Sequence, residues 1–188
     1  MPLNVLLLGP QGAGKGTQAM RISAEYGIPH IASGEILRAE LDAGTELGKR
    51  VKETIERGDL VSDDLMIELI RSRLEQPDTE AGFVLDGFPR TIVQAEALDS
   101  MFADIGKNFS VAFTLQIPDE VACDRLRLRG RADDTDEAIQ RRLDNYHRET
   151  EPLIEFYRTR GNVVPIHANR GENEVFAEIS RALEQVPA

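Results

Sequence analysis

Cysteine is nearly absent from this chain of 188 residues, in which Cys123 is the only one. A single cysteine excludes an intrachain disulfide and any zinc site made of several cysteines. Long hydrophobic runs are absent too, because the longest apolar stretch, residues 5–8 with their neighbours, is far shorter than a membrane span. No basic segment with a cleavage site precedes this stretch. We therefore expect no targeting segment, no membrane partner and a cytoplasmic location.

Basic residues are fewer than acidic ones, 22 against 33, so the formal net charge is −11 at pH 7. Binding to a nucleic-acid backbone draws on an overall basic face, so we expect no nucleic-acid partner. Lysine is rare among the 22 basic residues, of which 18 are arginine and 4 are lysine. The forked guanidinium group suits bidentate recognition of phosphate, although a coding preference for arginine is the simpler explanation for most of them.

Short apolar stretches alternate with helical patterns along the chain. Strands are predicted for residues 3–8, 28–32, 82–86, 110–117 and 162–166. Helices are predicted for residues 15–26, 34–43, 46–57, 63–74, 92–104, 119–129, 135–159 and 174–185. In the longest of these, Asp134 and Glu137 are expected to cap the start and Pro152 to cause a kink. The alternation predicts an α/β fold of one domain, with a five-stranded parallel sheet covered by helices on both faces.

Two stretches interrupt this alternation. Residues 33–74 contain three helical patterns without a strand between them, and residues 130–134 form a short charged link. Excursions from a parallel sheet lie above the carboxyl ends of its strands, where ligands bind. We therefore expect both stretches to cover a ligand site.

A glycine-rich turn, GPQGAGKGT at residues 9–17, stands between the first strand and the first helix. Glycines permit a tight turn in which successive backbone N–H groups and a helix N-terminus converge on a polyphosphate, and Lys15 adds a cation. Gly16 occupies the place where most such P-loops have the hydroxyl that contacts magnesium, and the hydroxyl follows at Thr17. The motif predicts nucleotide binding, and a purely structural turn is the alternative.

Further polar residues follow other predicted strands and helix starts. Asp86 ends an apolar strand, where an acid can orient magnesium-bound water, and Arg90 follows it as a candidate phosphate clamp. Structural roles are the alternatives: Asp86 as a turn cap, Ser33 as a helix N-cap with Arg38 exposed, and Gln94 as part of a capping box. The arginines around residue 130 form either a solvated patch or a mobile lid that closes on polyphosphate, with Asp133 and Asp134 positioned to hold them or to cap the next helix.

Four runs of residues, in this order and at these separations, closely resemble adenylate kinases. They are GPQGAGKGTQ at 9–18, ASGEILR at 32–38, DGFPRTIVQA at 86–95 and RLRLRGRADD at 125–134. The resemblance spans essentially the whole chain, and the pair GKGTQ and DGFPR is highly specific to nucleoside monophosphate kinases. It implies a P-loop three-layer sandwich, one domain over residues 1–188, with a helical AMP-binding insertion at about 32–61 and a short lid at about 128–134. It also implies a monomer.

The activity implied by this resemblance is transfer of the ATP γ-phosphoryl group to AMP, which gives two ADP, with Mg²⁺ as cofactor and a role in adenine nucleotide homeostasis and salvage. Asp86 would hold the magnesium through water. The catalytic residues implied are Lys15, Arg90, Arg129, Arg131 and Arg142. The ATP site implied comprises Gly12, Ala13, Gly14, Lys15, Gly16, Thr17, Arg125, Arg129 and Arg170. The AMP site implied comprises Ser33, Arg38, Asp59, Leu60, Val61, Gly87, Phe88, Pro89, Arg90, Gln94, Arg131 and Arg142.

Two other functions compete with this one. A pyrimidine monophosphate kinase would share the fold and the P-loop. By resemblance, however, kinases of that group have an Ala at the position of Ser33 and an Asn at the position of Thr91. Gln94, which is able to read an adenine edge by paired hydrogen bonds, also favours AMP. A P-loop switch that binds nucleotide without phosphoryl transfer would not need a second set of arginines, and the chain has no guanine-reading N/T-K-x-D motif.

Overall fold

The computed structural model describes residues 2–161 and 163–186, and these form a parallel sheet between two layers of helices. The five strands lie in the order β2-β3-β1-β4-β5. Their bounds are β1 Leu3–Leu8, β2 His30–Ala32, β3 Gly82–Asp86, β4 Val111–Gln116 and β5 Val163–His167. The helices are α1 Lys15–Tyr26, α2 Ser33–Asp42, α3 Glu46–Arg57, α4 Asp63–Leu74, α5 Ile92–Asp104, α6 Asp119–Arg129, α7 Asp136–Asn145, α8 Pro152–Arg158 and α9 Glu172–Leu183.

The central strand β1 has apolar side chains on both of its faces, as expected for a strand covered by helices on each side. Leu6 and Leu8 pack into the core on the side of α4, α5 and α8. Val5 and Leu7 pack into the core on the side of α1 and α9. All four are at most 3% exposed, and each such side chain contributes roughly 1.5–3 kcal/mol when buried. The structure therefore contains the three predicted layers.

The register of the strands brings several loops to one edge of the sheet. Asp86, the last residue of β3, pairs with Leu7 of β1 on one side and with Ala32 of β2 on the other. The turns that follow these three strands consequently begin side by side. They contain the glycine-rich loop, Ser33 and Gly87, which were separated by up to 78 positions in the sequence.

The strands and most helices lie within two residues of their predicted bounds. The predicted strand at 162–166 is shifted to Val163–His167, and Asn162 lies outside the described residues. None of the helices in residues 2–161 and 163–186 combines the length and the apolar character that crossing a bilayer requires.

The long helix predicted for residues 135–159 is instead divided into α7 and α8 by a π-helical turn at Tyr146–Thr150. The Glu151 N–H donates to the Tyr146 carbonyl, a span of five residues, at 2.8 Å. Pro152, which has no N–H to donate, follows at once. The prediction of a cap by Asp134 was wrong, because the Thr135 hydroxyl accepts from the Ala138 N–H at 3.2 Å and caps α7.

Candidate functional site

A cavity of about 690 Å³ opens at the carboxyl edge of the sheet, within the range of about 300–1,000 Å³ usual for small-molecule sites. Most of the residues predicted for the site line it. They are Gly12, Ala13, Gly14, Lys15, Gly16, Thr17, Ser33, Arg38, Asp59, Leu60, Val61, Asp86, Gly87, Arg90, Gln94, Arg125, Arg129, Arg131, Arg142 and Arg170. Phe88 and Pro89 do not line it. Phe88 is 1% exposed in the core, and Pro89 lies against a much smaller neighbouring cavity.

The glycine-rich loop turns sharply into α1. Gly12 and Gly14 have φ of +86° and +88°, and a Cβ on Gly12 would lie 2.7 Å from the Ala122 carbonyl oxygen. Only glycine fits there without a shift of backbone. Among the described residues no side chain caps the start of α1, so its first N–H groups and the positive end of its dipole are available to an anionic ligand.

Lys15 holds the loop from within. Its ammonium group donates to the carbonyls of Gly9 and Pro10, at 2.8 Å each. Burial lowers the pKa of Lys15 to about 8, with the nearby charge of Asp86 opposing the shift and those of Arg90 and Arg129 adding to it. A phosphate beside this group would favour its charged form.

Asp86 is the carboxylate at the floor of the cavity, and its side chain is 15% exposed. Burial by itself would raise the pKa of Asp86. The nearby His30, at 3.5 Å, and the charges of Lys15 and Arg90 outweigh burial, and the pKa lies below its usual value. Asp86 is therefore ionised at neutral pH.

Asp86 and Thr17 are two oxygen donors of the cavity lining that could face a cation beside the glycine-rich loop. Asp86 Oδ2 would be 3.6 Å from a Cβ on Gly16, which places the carboxylate directly beside the loop. No group of three or more His, Cys, Asp or Glu side chains suited to a metal occurs in the described part of the chain. Magnesium usually takes one or two protein oxygens, several waters and substrate phosphates, so this sparse set fits magnesium held together with a nucleotide.

On the opposite side of Asp86, polar side chains gather around Gly87. The Ser33 hydroxyl and the Arg90 Nε both donate to the Gly87 carbonyl, at 2.7 Å each. A Cβ on Gly87 would lie 2.6 Å from the Ser33 hydroxyl. Burial lowers the pKa of Arg90 and that of Arg38, but guanidinium groups stay charged throughout the physiological range.

Carboxylates hold Arg129 of the lid segment, residues 128–134, and Arg142 of α7. Arg129 donates twice to Asp134, at 2.9 and 2.6 Å. Arg142 of α7 donates to Asp134 at 2.7 Å and also to Asp133. The Asp134 side chain is fully buried beneath them. Burial alone would raise the pKa of Asp134, but the two guanidinium groups lower it on balance.

Arg125 and Arg170 lie at the far wall. Arg125 donates to the carbonyls of Gly12, at 3.4 Å, and Ala168, at 3.1 Å, and so connects the glycine-rich loop to the turn after β5. Arg170 is directed away from this pair, because it donates to the His167 carbonyl at 2.9 Å and forms an ion pair with Glu178.

Comparison with known proteins supports the family resemblance noted in the sequence. A family model described as adenylate kinase matches residues 7–162. The chain belongs to the adenylate kinase family. Among similar proteins are adenylate kinases of Acetivibrio thermocellus, 38% identical with 98% of this chain and 99% of that protein covered, and of Stenotrophomonas maltophilia strain K279a, 42% identical with 97% and 100% covered. The adenylate kinase of Mycobacterium tuberculosis is 45% identical, with 96% and 99% covered.

Membership of the adenylate kinase family confirms the predicted α/β fold class and the predicted activity. The enzyme is an ATP:AMP phosphotransferase, and its general role is nucleotide homeostasis. Its substrates are accordingly adenine nucleotides. The roles assigned to individual residues of the adenylate kinase site, and its magnesium, stay predictions.

The apolar wall of the cavity was not among the site residues predicted from the sequence. Leu37, Ile55 and Met66 line the cavity beside Val61, yet each lies on the apolar face of a helix and reads as core. Asp63, which contacts both Thr91 and Gln94, was not among the predicted site residues either. The sequence feature that could have indicated Asp63 is its place in the first turn of α4, two residues after the predicted site residues 59–61.

Proposed function

We propose that ATP and AMP occupy this one cavity together, with the ATP phosphates on residues 12–17 and the AMP phosphate near Arg38 and Arg90. The observation that carries the proposal is that a phosphate-binding loop and a second group of arginines line the same cavity, on either side of Asp86. A protein that only bound a nucleotide would need the first group and not the second. In the proposed arrangement the two phosphate chains meet above Gly87.

The residues act by positioning and by neutralising charge. The attacking phosphate oxygen of AMP is already anionic at neutral pH, so no general base is required. What must be overcome is the repulsion between two anions and the cost of aligning them. Lys15, Arg90, Arg129, Arg131 and Arg142 carry positive charge to the junction and stabilise the charge of the transferring group.

Magnesium is proposed as the cofactor. Thr17 and Asp86 would hold it, the hydroxyl directly or through water and the carboxylate through water. When bound, the ion neutralises charge on the donor phosphates. The sparse oxygen set at the floor of the cavity supports this assignment.

Two excursions from the sheet are proposed to close over the substrates. They are the AMP-binding insertion, about residues 32–61, and the lid segment, both inserted in a single P-loop domain. Both contribute residues to the cavity lining. Closure would exclude water, which otherwise competes with AMP for the phosphoryl group.

The remaining assignments follow the family resemblance. Arg125 would pack on the adenine of ATP, and the turn containing Arg170 would lie against the same base. Ser33, Gln94 and residues 59–61 would surround AMP. The protein is proposed to act as a monomer in the cytoplasm, without a nucleic-acid or membrane partner.

The acceptor experiment measures phosphoryl transfer from ATP to AMP, CMP, UMP and GMP side by side, with hydrolysis of ATP alone as the baseline. We expect AMP to be the preferred acceptor and ADP formation to exceed ATP hydrolysis by orders of magnitude. Faster turnover of CMP or UMP would identify a pyrimidine nucleotide kinase instead. Hydrolysis without transfer to any of the four would indicate a P-loop switch.

A further inference from the structure

Both polar atoms of the Gln94 side chain already have partners in the protein, although Gln94 lines the cavity and is 2% exposed. Its Nε2 donates to Asp63 Oδ1 at 2.9 Å, and its Oε1 accepts from the Arg90 backbone N–H at 2.8 Å. An amide NH₂ has two hydrogens and an amide oxygen two lone pairs. One hydrogen and one lone pair of Gln94 therefore remain for a ligand.

These two partners permit one orientation of the amide. An ionised carboxylate accepts hydrogen bonds and a backbone N–H donates them, so neither can reverse its role. Rotating the Gln94 amide by 180° would place its oxygen against the Asp63 carboxylate and its NH₂ against the Arg90 N–H. Both hydrogen bonds would be lost in a buried place, where unpaired polar groups are costly.

Asp63 is itself held in position. The Thr91 hydroxyl donates to the same Oδ1 at 2.9 Å and accepts from the Gln94 N–H at 3.2 Å as the N-cap of α5. Asp63 thus joins the first turn of α4 to the first turn of α5. It does so next to the 59–61 segment, which lines the cavity.

The orientation of the amide decides which purine edge it can pair with. Adenine presents an acceptor at N1 and a donor at N6, which match the free hydrogen and the free lone pair of Gln94. A 6-oxopurine presents a donor at N1 and an acceptor at O6, and would match the rotated amide. We infer that Asp63, a positioning residue that acts through Gln94, sets the preference of the acceptor site for adenine over 6-oxopurines. The inference rests on the proposed role of Gln94 in reading the acceptor base.

The test is the ratio of kcat/KM for AMP to kcat/KM for inosine 5′-monophosphate, which has the shape of AMP but the reversed hydrogen-bond pattern. Asp63→Asn retains the size of the side chain and supplies an amide that can either donate or accept. We expect the ratio to fall at least about tenfold, because the rotated Gln94 then loses one partner instead of two. The ratio is measured within one variant, so it does not depend on the fraction of protein folded.

Asp64→Asn is the matched control, since Asp64 is the exposed neighbour in the same turn and the substitution removes the same charge. We expect its ratio to stay within about twofold of the unmodified enzyme, a range that surface substitutions rarely exceed. Should Asp63→Asn fail to fold, Asp63→Ser supplies a hydroxyl that also donates or accepts, and the same fall is expected.

Gln94→Ala separates this inference from the proposed function. If Gln94→Ala removes the preference for AMP and Asp63→Asn or Asp63→Ser matches the Asp64→Asn control, Asp63 does not set specificity and the role of Gln94 stands. If Gln94→Ala leaves the preference intact, Gln94 does not read the base and the inference about Asp63 falls with it.

Discussion

The glycine-rich loop and the lid segment both supply positive charge to one cavity, but they hold it in different ways. In the loop the donors are backbone N–H groups at the start of α1, fixed by glycine geometry and by Lys15. At the lid segment the donors are the guanidinium groups of Arg129 and of Arg142 in α7, and Asp133 and Asp134 pair with them. Backbone geometry holds the donors of the loop, whereas ion pairs hold Arg129 and Arg142.

The two halves of the site are therefore held by interactions of different kinds. Backbone donors that already point at the ligand need no reorganisation when it arrives. Arg129 and Arg142 each donate to carboxylates through two of their nitrogen atoms, so ion pairs rather than backbone geometry set their orientation. A lid held by exchangeable ion pairs is thus suited to opening and closing.

The greatest loss of activity is expected when the positive charge of Lys15 is removed from the glycine-rich loop. Lys15→Met should lower kcat by about a thousandfold or more, equivalent to about 4 kcal/mol of lost charge stabilisation. The free energy of unfolding should change by less than about 1 kcal/mol. The variant loses two hydrogen bonds of the ammonium group, but it also no longer has the cost of burying a charge. Initial-rate kinetics and thermal unfolding check both values.

Lys49→Met is the control for this variant, since Lys49 is exposed and pairs with Glu46 on α3. Its kcat should stay within about twofold of the unmodified enzyme, as for most surface substitutions. Near-normal turnover in Lys15→Met would refute the role given to that lysine.

A second variant pair tests whether a buried carboxylate holds the lid. Asp134→Asn removes the negative charge that Arg129 and Arg142 share and turns one acceptor oxygen into a donor, so it should lower the free energy of unfolding by about 1–3 kcal/mol. Asp136→Asn removes an exposed partner of Arg127 in the same stretch and should change it by less than about 0.5 kcal/mol. Denaturant titration of both proteins measures the difference. Equal effects would show that the lid arginines do not depend on Asp134.

A smaller effect is expected on the pH dependence of ATP affinity, through the protonation of Lys15. Its pKa of about 8 should rise when ATP phosphates bind beside it, so binding takes up a proton above pH 8. If the pKa in the complex reaches its ordinary value, the affinity for ATP should fall about tenfold between pH 7 and pH 9. Calorimetry in buffers of different ionisation enthalpy measures both quantities.

The Lys15→Met protein serves as the reference for this titration. It should bind ATP more weakly but without the loss of affinity between pH 7.5 and pH 9. A parallel decline in both proteins would assign the pH dependence to a different group.

The parts of the site that the sequence predicted are those built from neighbouring residues. Residues 9–17 contain the complete glycine-rich loop, and the apolar strand before them fixes its place at the edge of a sheet. The division of the predicted long helix was harder to foresee, because periodicity continues across the π-helical turn at Tyr146–Thr150. The cap by Thr135 was mistaken for one by Asp134, because the sequence offered two roles for Asp134, holding nearby arginines or capping the helix, and spacing alone does not choose between them.

The alternation of strands and helices, the glycine-rich loop and the supply of arginines were predictable from the amino-acid sequence, since each depends on spacing within a few residues. The hydrogen bonds between residues far apart in the chain, such as Asp63 with Gln94 and Ser33 with Gly87, became evident only from the folded structure. The physical reason is that such contacts depend on strand order and helix packing, which place residues together whatever their separation in sequence.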